Sequence, residues 1–315
     1  SLAERARALA DDRAVRPRRS AAPSLAGVGT VGEAFMTAGA HLLDVLLAET
    51  PRCRLEAGPR GVHQSRVALR RLRSVVRVFR PAFDGPALRA WDRELGALAR
   101  ALGAARDWDV FLDGVGRSLA AAFPEDARAT GLLAAAEGAR AEAYAALGRT
   151  LAAPEFRALV WEGMKLLADP PRAEARPDRP AVEPDGPLTP FAAAVLRKRW
   201  KRLRAAGDQM GDLPAEALHE MRLDVKRLRY AAELFAPLFG GKRGRRLLRR
   251  LAALQDALGL ANDAAVARGL AAQLPDPDPF AAGLVAGLSV GRAADSRDLA
   301  LGHWQKTLKT KLFWK

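Results

Sequence analysis

The chain has 315 residues, with 51 Lys and Arg against 36 Asp and Glu, for a formal net charge of +15. Its composition, 49% hydrophobic and 28% charged, supports a folded core and argues against global disorder. The longest uncharged runs, 20–32 and 279–291, are 13 residues each and broken by Gly and Pro, too short for a membrane span, and no secretory leader is expected from the opening residues.

The length predicts about two domains. Ile is absent, Tyr occurs twice, and Ala, Leu and Arg dominate, which predicts an all-α protein. In chain order, residues 1–27 read as a tether with two Pro and several Arg. Apolar periodicity predicts helices over 31–49, 62–80, 86–105 and 126–167, the last broken near Pro154. Residues 169–187 hold six prolines and no periodicity, and read as a linker. Helices follow over 188–206, 215–236, 242–259 and 278–312, and short extra ones fit 106–123 and 261–273. The expected organisation is two tandem four-helix bundles, 28–168 and 188–315.

The two halves repeat one another. A shift of 156 positions places His63 on His219, Arg66 on Arg222, Arg70 on Lys226, Arg71 on Arg227 and Arg73 on Arg229. It also places Phe35 on Phe191, Phe79 on Phe235, Gly103 on Gly259 and Asp107 on Asp263. Ungapped agreement over about 75 positions marks a tandem duplication.

On a helical wheel Arg66, Arg70, Arg73 and Arg77 fall on one stripe with His63 at its edge, opposite Leu69, Leu72, Val75, Val76 and Phe79. His219, Arg222, Lys226 and Arg229 form the second stripe, where Glu233 replaces Arg77. Aligned like charges destabilise a helix by a few tenths of a kcal/mol per pair. A merely solubilising face mixes signs, and these faces hardly do. An anionic partner is therefore expected. Further basic residues, including Lys201, Arg202, Arg246 and Arg250, load the first and third helices of the second half, whose first-half equivalents carry far fewer.

These twin segments resemble the CHAD family, the conserved histidine α-helical domain. Leu102-Gly103 to Arg106-Asp107 and Leu258-Gly259 to Asn262-Asp263 also fit it, with Asn262 departing from Arg. The resemblance covers about residues 28–315. It implies two four-helix bundles related by a pseudo-twofold, with a basic surface or channel between them, and binding of inorganic polyphosphate at cytoplasmic polyphosphate granules. The opening Ser1–Leu9 is similar to the segment joining a CYTH triphosphate-tunnel domain to CHAD, which implies an upstream catalytic domain.

The residue chemistry agrees. Polyphosphate has a negative charge on every unit and no bases. Arg makes fork-shaped contacts to phosphate. No aromatic interleaves the stripes, which is poor for stacking nucleic-acid bases, so nucleic acid is expected to bind only non-specifically. The single Cys53 excludes an internal disulfide and multi-cysteine metal sites, and suits a reducing compartment. The sequence has no Walker loop or His-x-x-x-His pair, and no catalytic residue, cofactor or metal is assigned. A histidine flanked by arginines is expected to have a lowered pKa. The alternatives are a metal-dependent phosphohydrolase, with Asp107 and Asp263 joining the histidines, and a nucleic-acid-associated protein. Asp107 and Asp263 otherwise read as helix caps or partners that orient arginines, and Trp108 and Trp161 as packing residues.

Overall fold

The computed structural model describes residues 23–175, 181–208, 210, 215–294 and 296–314; residues 1–22 of the expected tether and 176–180 of the expected linker lie outside the described residues. The helices are α1 Val31–Glu49, α2 Arg60–Val78, α3 Pro86–Phe111, α4 Arg117–Ala122, α5 Ala127–Ala152, α6 Pro154–Ala168, α7 Leu188–Gly207, α8 Ala215–Phe239, α9 Gly241–Ala271, α10 Pro279–Ala294 and α11 Ser296–Leu308. Short 3-10 turns, Thr50–Arg52 and Leu55–Ala57, join α1 to α2, and a π-helical turn, Leu112–Gly116, joins α3 to α4. Among the described residues there is no strand, only the isolated bridges Thr30–Pro187 and Phe83–Arg172. The fold is all-α.

Two helices run further than their periodicity predicts. Residues 106–111 extend α3, since Arg106–Phe111 holds no Gly or Pro to break a helix. Residues 242–259 and 261–273 merge largely into the single α9. Gly259 costs about 1 kcal/mol relative to Ala within a helix. Buried Leu254, Ala257, Leu258, Ala264 and Ala267 continue the apolar face across it, against α10 and α11. After α8, Gly240 and Gly241 both have positive φ, 62° and 82°, where a side chain would strain the reversal into α9.

The described chain divides into two compact units. The first holds residues up to Arg106 together with Ala143–Leu188, and the second holds Asp107–Glu142 together with the residues from Thr189 onward. In the first, Phe35 lies against Phe79 at 5.7 Å between centroids and stacks on Phe83 at 4.8 Å. Trp91 packs on Gly163, where a Cβ would collide with its ring, and its Nε1 donates to Leu159 O at 3.0 Å. In the second, Phe191 meets Phe235 edge-on at 6.2 Å, and Trp304 packs on Gly207. Phe35–Phe79 and Phe191–Phe235 are the same pair in the two repeats, so the duplication extends to core contacts.

The described part of the Pro-rich stretch is bonded to the first unit. Ala173 N donates to Ala82 O, Val182 N to Pro81 O, and Gly32 N to Pro184 O, at 2.8–2.9 Å. Residues 31–52 include a stretch of mean hydropathy 1.3, long and apolar enough by itself to cross a membrane. A count of uncharged runs overlooks it because Glu33 and Asp44 interrupt the stretch. Its apolar side, including Phe35, Leu42 and Leu46, is buried, with α1 packed on α2 and α6.

Candidate functional site

Helix α2 buries Leu69, Leu72, Val75 and Val76 and turns its cations outward. His63 and Arg77 are exposed, while Arg66, Arg70, Arg71 and Arg73 are half-buried, with their stems on the helix surface. Arg66 Nη1 donates to Ala99 O of α3 at 3.3 Å and lies over Gly103. His63 has a pKa below its ordinary value. Partial burial is the first cause, although the residue reaches solvent, followed by the positive charges of Arg106, Arg70 and Arg66. The expectation for a histidine among arginines holds for His63.

A carboxylate on the neighbouring helix enters this stripe. Asp92 of α3 is 5% exposed and accepts from Arg73 Nε at 2.9 Å and from Arg77 Nε at 3.3 Å. Arg80 Nη2 lies 3.6 Å from the same carboxylate. Three guanidiniums thus share one buried negative charge, and Gly96 leaves room for Arg73 beside it.

In the second unit, α8 exposes His219 and Arg227 and half-buries Arg222, Lys226 and Arg229. Its buried counterion is Asp224, which belongs to α8 itself. Asp224 accepts from Arg202 Nε of α7 and from Arg227 Nη1, each at 2.7 Å. Arg199 of α7 donates to the Arg227 carbonyl oxygen. Its pKa is pushed down to about 10, first by burial and then by Arg227, with Asp224 opposing. Arg229 Nε pairs with Glu233 at 2.9 Å, so the residue that replaces Arg77 also neutralises its neighbour. Arg222 Nη1 donates to Asn262 Oδ1 at 3.3 Å, which gives the departure at Asn262 a role in holding Arg222.

The predicted residues therefore fall into groups. In the first unit His63, Arg66 and Arg70 gather with Arg106, and Arg73 and Arg77 gather at Asp92 with Arg80. In the second, Arg202 and Arg227 meet at Asp224 with Arg199. Lys201 is exposed on α7, Arg246 is exposed on α9 and Arg250 is half-buried there; no contact joins these three to Asp224. Asp92, Asp224, Arg80, Arg106 and Arg199 were not predicted as site residues. Asp92 and Arg199 sit on other helices, beyond the reach of a wheel drawn for one helix. The 156-residue shift could not find the two carboxylates either, since Asp92 falls on Leu248 and Asp224 on Ala68.

Three smaller expectations change. Asp107 and Asp263 lie inside α3 and α9, so they are not helix caps; Asp263 instead accepts from Asn262 at 3.5 Å. Trp108 is buried, but Trp161 is 62% exposed and does not pack in the core. Cys53 is buried 3.3 Å from Ser65 Oγ, and burial raises its thiol pKa above the ordinary value. Among the described residues no three His, Cys, Asp or Glu side chains gather as a metal-binding group.

No curated protein sequence matches the chain. The crystal structure of the CHAD domain from the plant Ricinus communis superposes with a TM-score of 0.74 at 26% identity, covering 93% of this chain and 97% of that one. PptA from Streptomyces chartreusis shares the fold with a TM-score of 0.65 at 16% identity, covering 88% of this chain and 99% of that one. The family model described as the CHAD domain matches residues 37–272. With that span and the twin His-and-Arg helices, this chain belongs to the CHAD domain family.

Proposed function

We propose that the chain binds inorganic polyphosphate, without catalysis, along the basic faces of α2 and α8. The observation that supports this most is the charge of α2, which carries six Arg and no Asp or Glu, whereas α8 sets four Lys and Arg against four Asp and Glu. In the first unit, His63, Arg66, Arg70, Arg73, Arg77, Arg80 and Arg106 accompany the buried carboxylate of Asp92. Such an excess attracts a polyanion. The spacing suits a chain of phosphates, since Arg66 to Arg77 spans roughly 16 Å of helix. Side chains anchored on carbonyls and carboxylates are already positioned, which reduces the entropy lost on binding.

Affinity for the granule form would follow from the same contacts, with polyphosphate-rich granules in the cytoplasm as the site of action. The test is competition. Long-chain polyphosphate should displace DNA of equal charge, and no phosphate should be released from it with or without divalent metal. Metal-dependent phosphate release would favour the phosphohydrolase reading, and preferential retention of DNA the nucleic-acid reading.

A further inference from the structure

A second basic feature is lined by none of the residues of either stripe. In the second unit a hollow of about 580 Å³ is lined by Lys242, Arg243, Arg245, Arg246 and Arg249 of α9 and by Lys309, Thr310 and Lys311 beyond α11. Seven of these eight residues are cations, and no carboxylate is among them. The seven are exposed, and none takes part in the ion pairs found at Asp92 or Asp224.

The fold forces these charges together. Gly244 lies on the core side of α9, 3.7 Å from the Phe313 ring measured from an added Cβ. Phe313 packs edge-on against Phe239 at 5.5 Å and against Trp314 at 4.8 Å, and both Phe313 and Trp314 are buried. The Thr310 hydroxyl donates to Lys306 O at 3.1 Å. These anchors hold Lys309 and Lys311 opposite the cations of α9. Like charges so placed repel, and the repulsion is relieved by a bound anion. Gly240 gives the first turn of α9 no side-chain cap, and that turn has no acidic residue, so its amides add to the positive potential.

We infer that this hollow is a binding site for a compact anion with several closely spaced phosphate groups, of the triphosphate class, separate from the long-chain faces of α2 and α8. A long chain gains by following a helix, whereas a hollow of this size fits a small ligand that several cations can surround at once. A single phosphate would engage only part of the cluster. Arg forks and Lys ammonium groups together suit the mixed terminal and bridging oxygens of such an anion.

The inference does not rest on the long-chain reading, and a calorimetric titration of the full chain with tripolyphosphate separates the two. One variant carries Lys242→Ala, Arg245→Ala, Lys309→Ala and Lys311→Ala, all exposed positions. A second carries Arg66→Glu and Arg70→Glu. Loss of several charge-assisted contacts should weaken tripolyphosphate binding at least tenfold, to about that extent or more, in the first variant. The second should change it less than about twofold, since it alters no contact in the hollow. Circular dichroism checks that both retain their helices. Orthophosphate should bind the unaltered chain much more weakly than tripolyphosphate. The inference is overturned if tripolyphosphate binding survives the first variant, or if the second variant loses as much as the first. Loss of long-chain binding in the second variant alone would leave both readings standing.

Discussion

Arg66 occupies the space that a side chain at residue 103 would need: a Cβ added to Gly103 would stand 2.6 Å from Arg66 Nη1. The glycine that follows Leu102 on α3 thus shapes the cationic face of α2. Its repeat partner, Gly259, has only Asp263 Oδ2 at 4.0 Å, and Arg222 bonds to Asn262 instead.

Equivalent substitutions should therefore give unequal results. Gly103→Ala is expected to displace Arg66 from Ala99 O and weaken polyphosphate binding severalfold. Gly259→Ala should leave binding intact and stabilise α9 by up to about 1 kcal/mol, the helix preference for Ala over Gly. Thermal unfolding and a binding titration on both variants check this. Equal binding loss in the two would contradict the positioning role of Gly103.

Asp92 gives a prediction in which stability and binding move in opposite directions. Asp92→Asn removes the charge shared by Arg73, Arg77 and Arg80. Removing a charged hydrogen-bond partner costs roughly 1.5–3 kcal/mol, at the lower end here because the guanidiniums remain partly solvated. The same change frees three cations for the polyanion, so affinity should rise. Unchanged polyphosphate binding by Asp92→Asn with intact helicity would show that these arginines do not face the ligand.

The all-α class, the duplication and the basic faces were legible because each depends on local residue choice or on repeated spacing. The 156-residue shift puts Phe35 and Phe79 in register with Phe191 and Phe235, and they pack as equivalent pairs. The counterions were not legible. Asp92 reaches α2 from another helix, and Asp224 gains Arg202 from α7. Such partners arise from packing between helices, which no single-helix periodicity encodes. The role of Gly103 was hidden for the same reason. Merging of two predicted segments into α9 follows from burial on both sides of Gly259, which outweighs the local helix penalty.

His63 should make binding depend on pH. Its pKa lies below the ordinary 6.5 because of burial and then Arg106, Arg70 and Arg66. In the folded protein without ligand the neutral ring is favoured, so stability falls as pH drops below 6.5 through that lowered value. A bound polyanion offsets the arginines and raises the pKa, so binding takes up a proton. Affinity should therefore increase as pH falls between the pKa of the bound protein and that of the free protein, then level off. His63→Ala should reduce affinity modestly and flatten this proton-linked increase. NMR titration of the imidazole with and without polyphosphate measures the shift directly. A His63 pKa unmoved by ligand would remove the ring from the site.

The most direct test of the central claim is a titration with polyphosphates of increasing length at two salt concentrations, using the unaltered chain and two variants. One variant is Arg66→Glu with Arg70→Glu, and the other is Arg222→Glu with Lys226→Glu. Each phosphate neutralised by a Lys or Arg releases condensed counterions, so a longer contacted track gives a steeper fall of log affinity with log salt. The account predicts that affinity rises with chain length and then levels off, that the salt slope steepens along the series, and that each variant loses long-chain affinity while remaining helical. If long chains bound no more tightly than tripolyphosphate, with the same salt slope and no loss in either variant, the basic faces of α2 and α8 would not be a polyphosphate track.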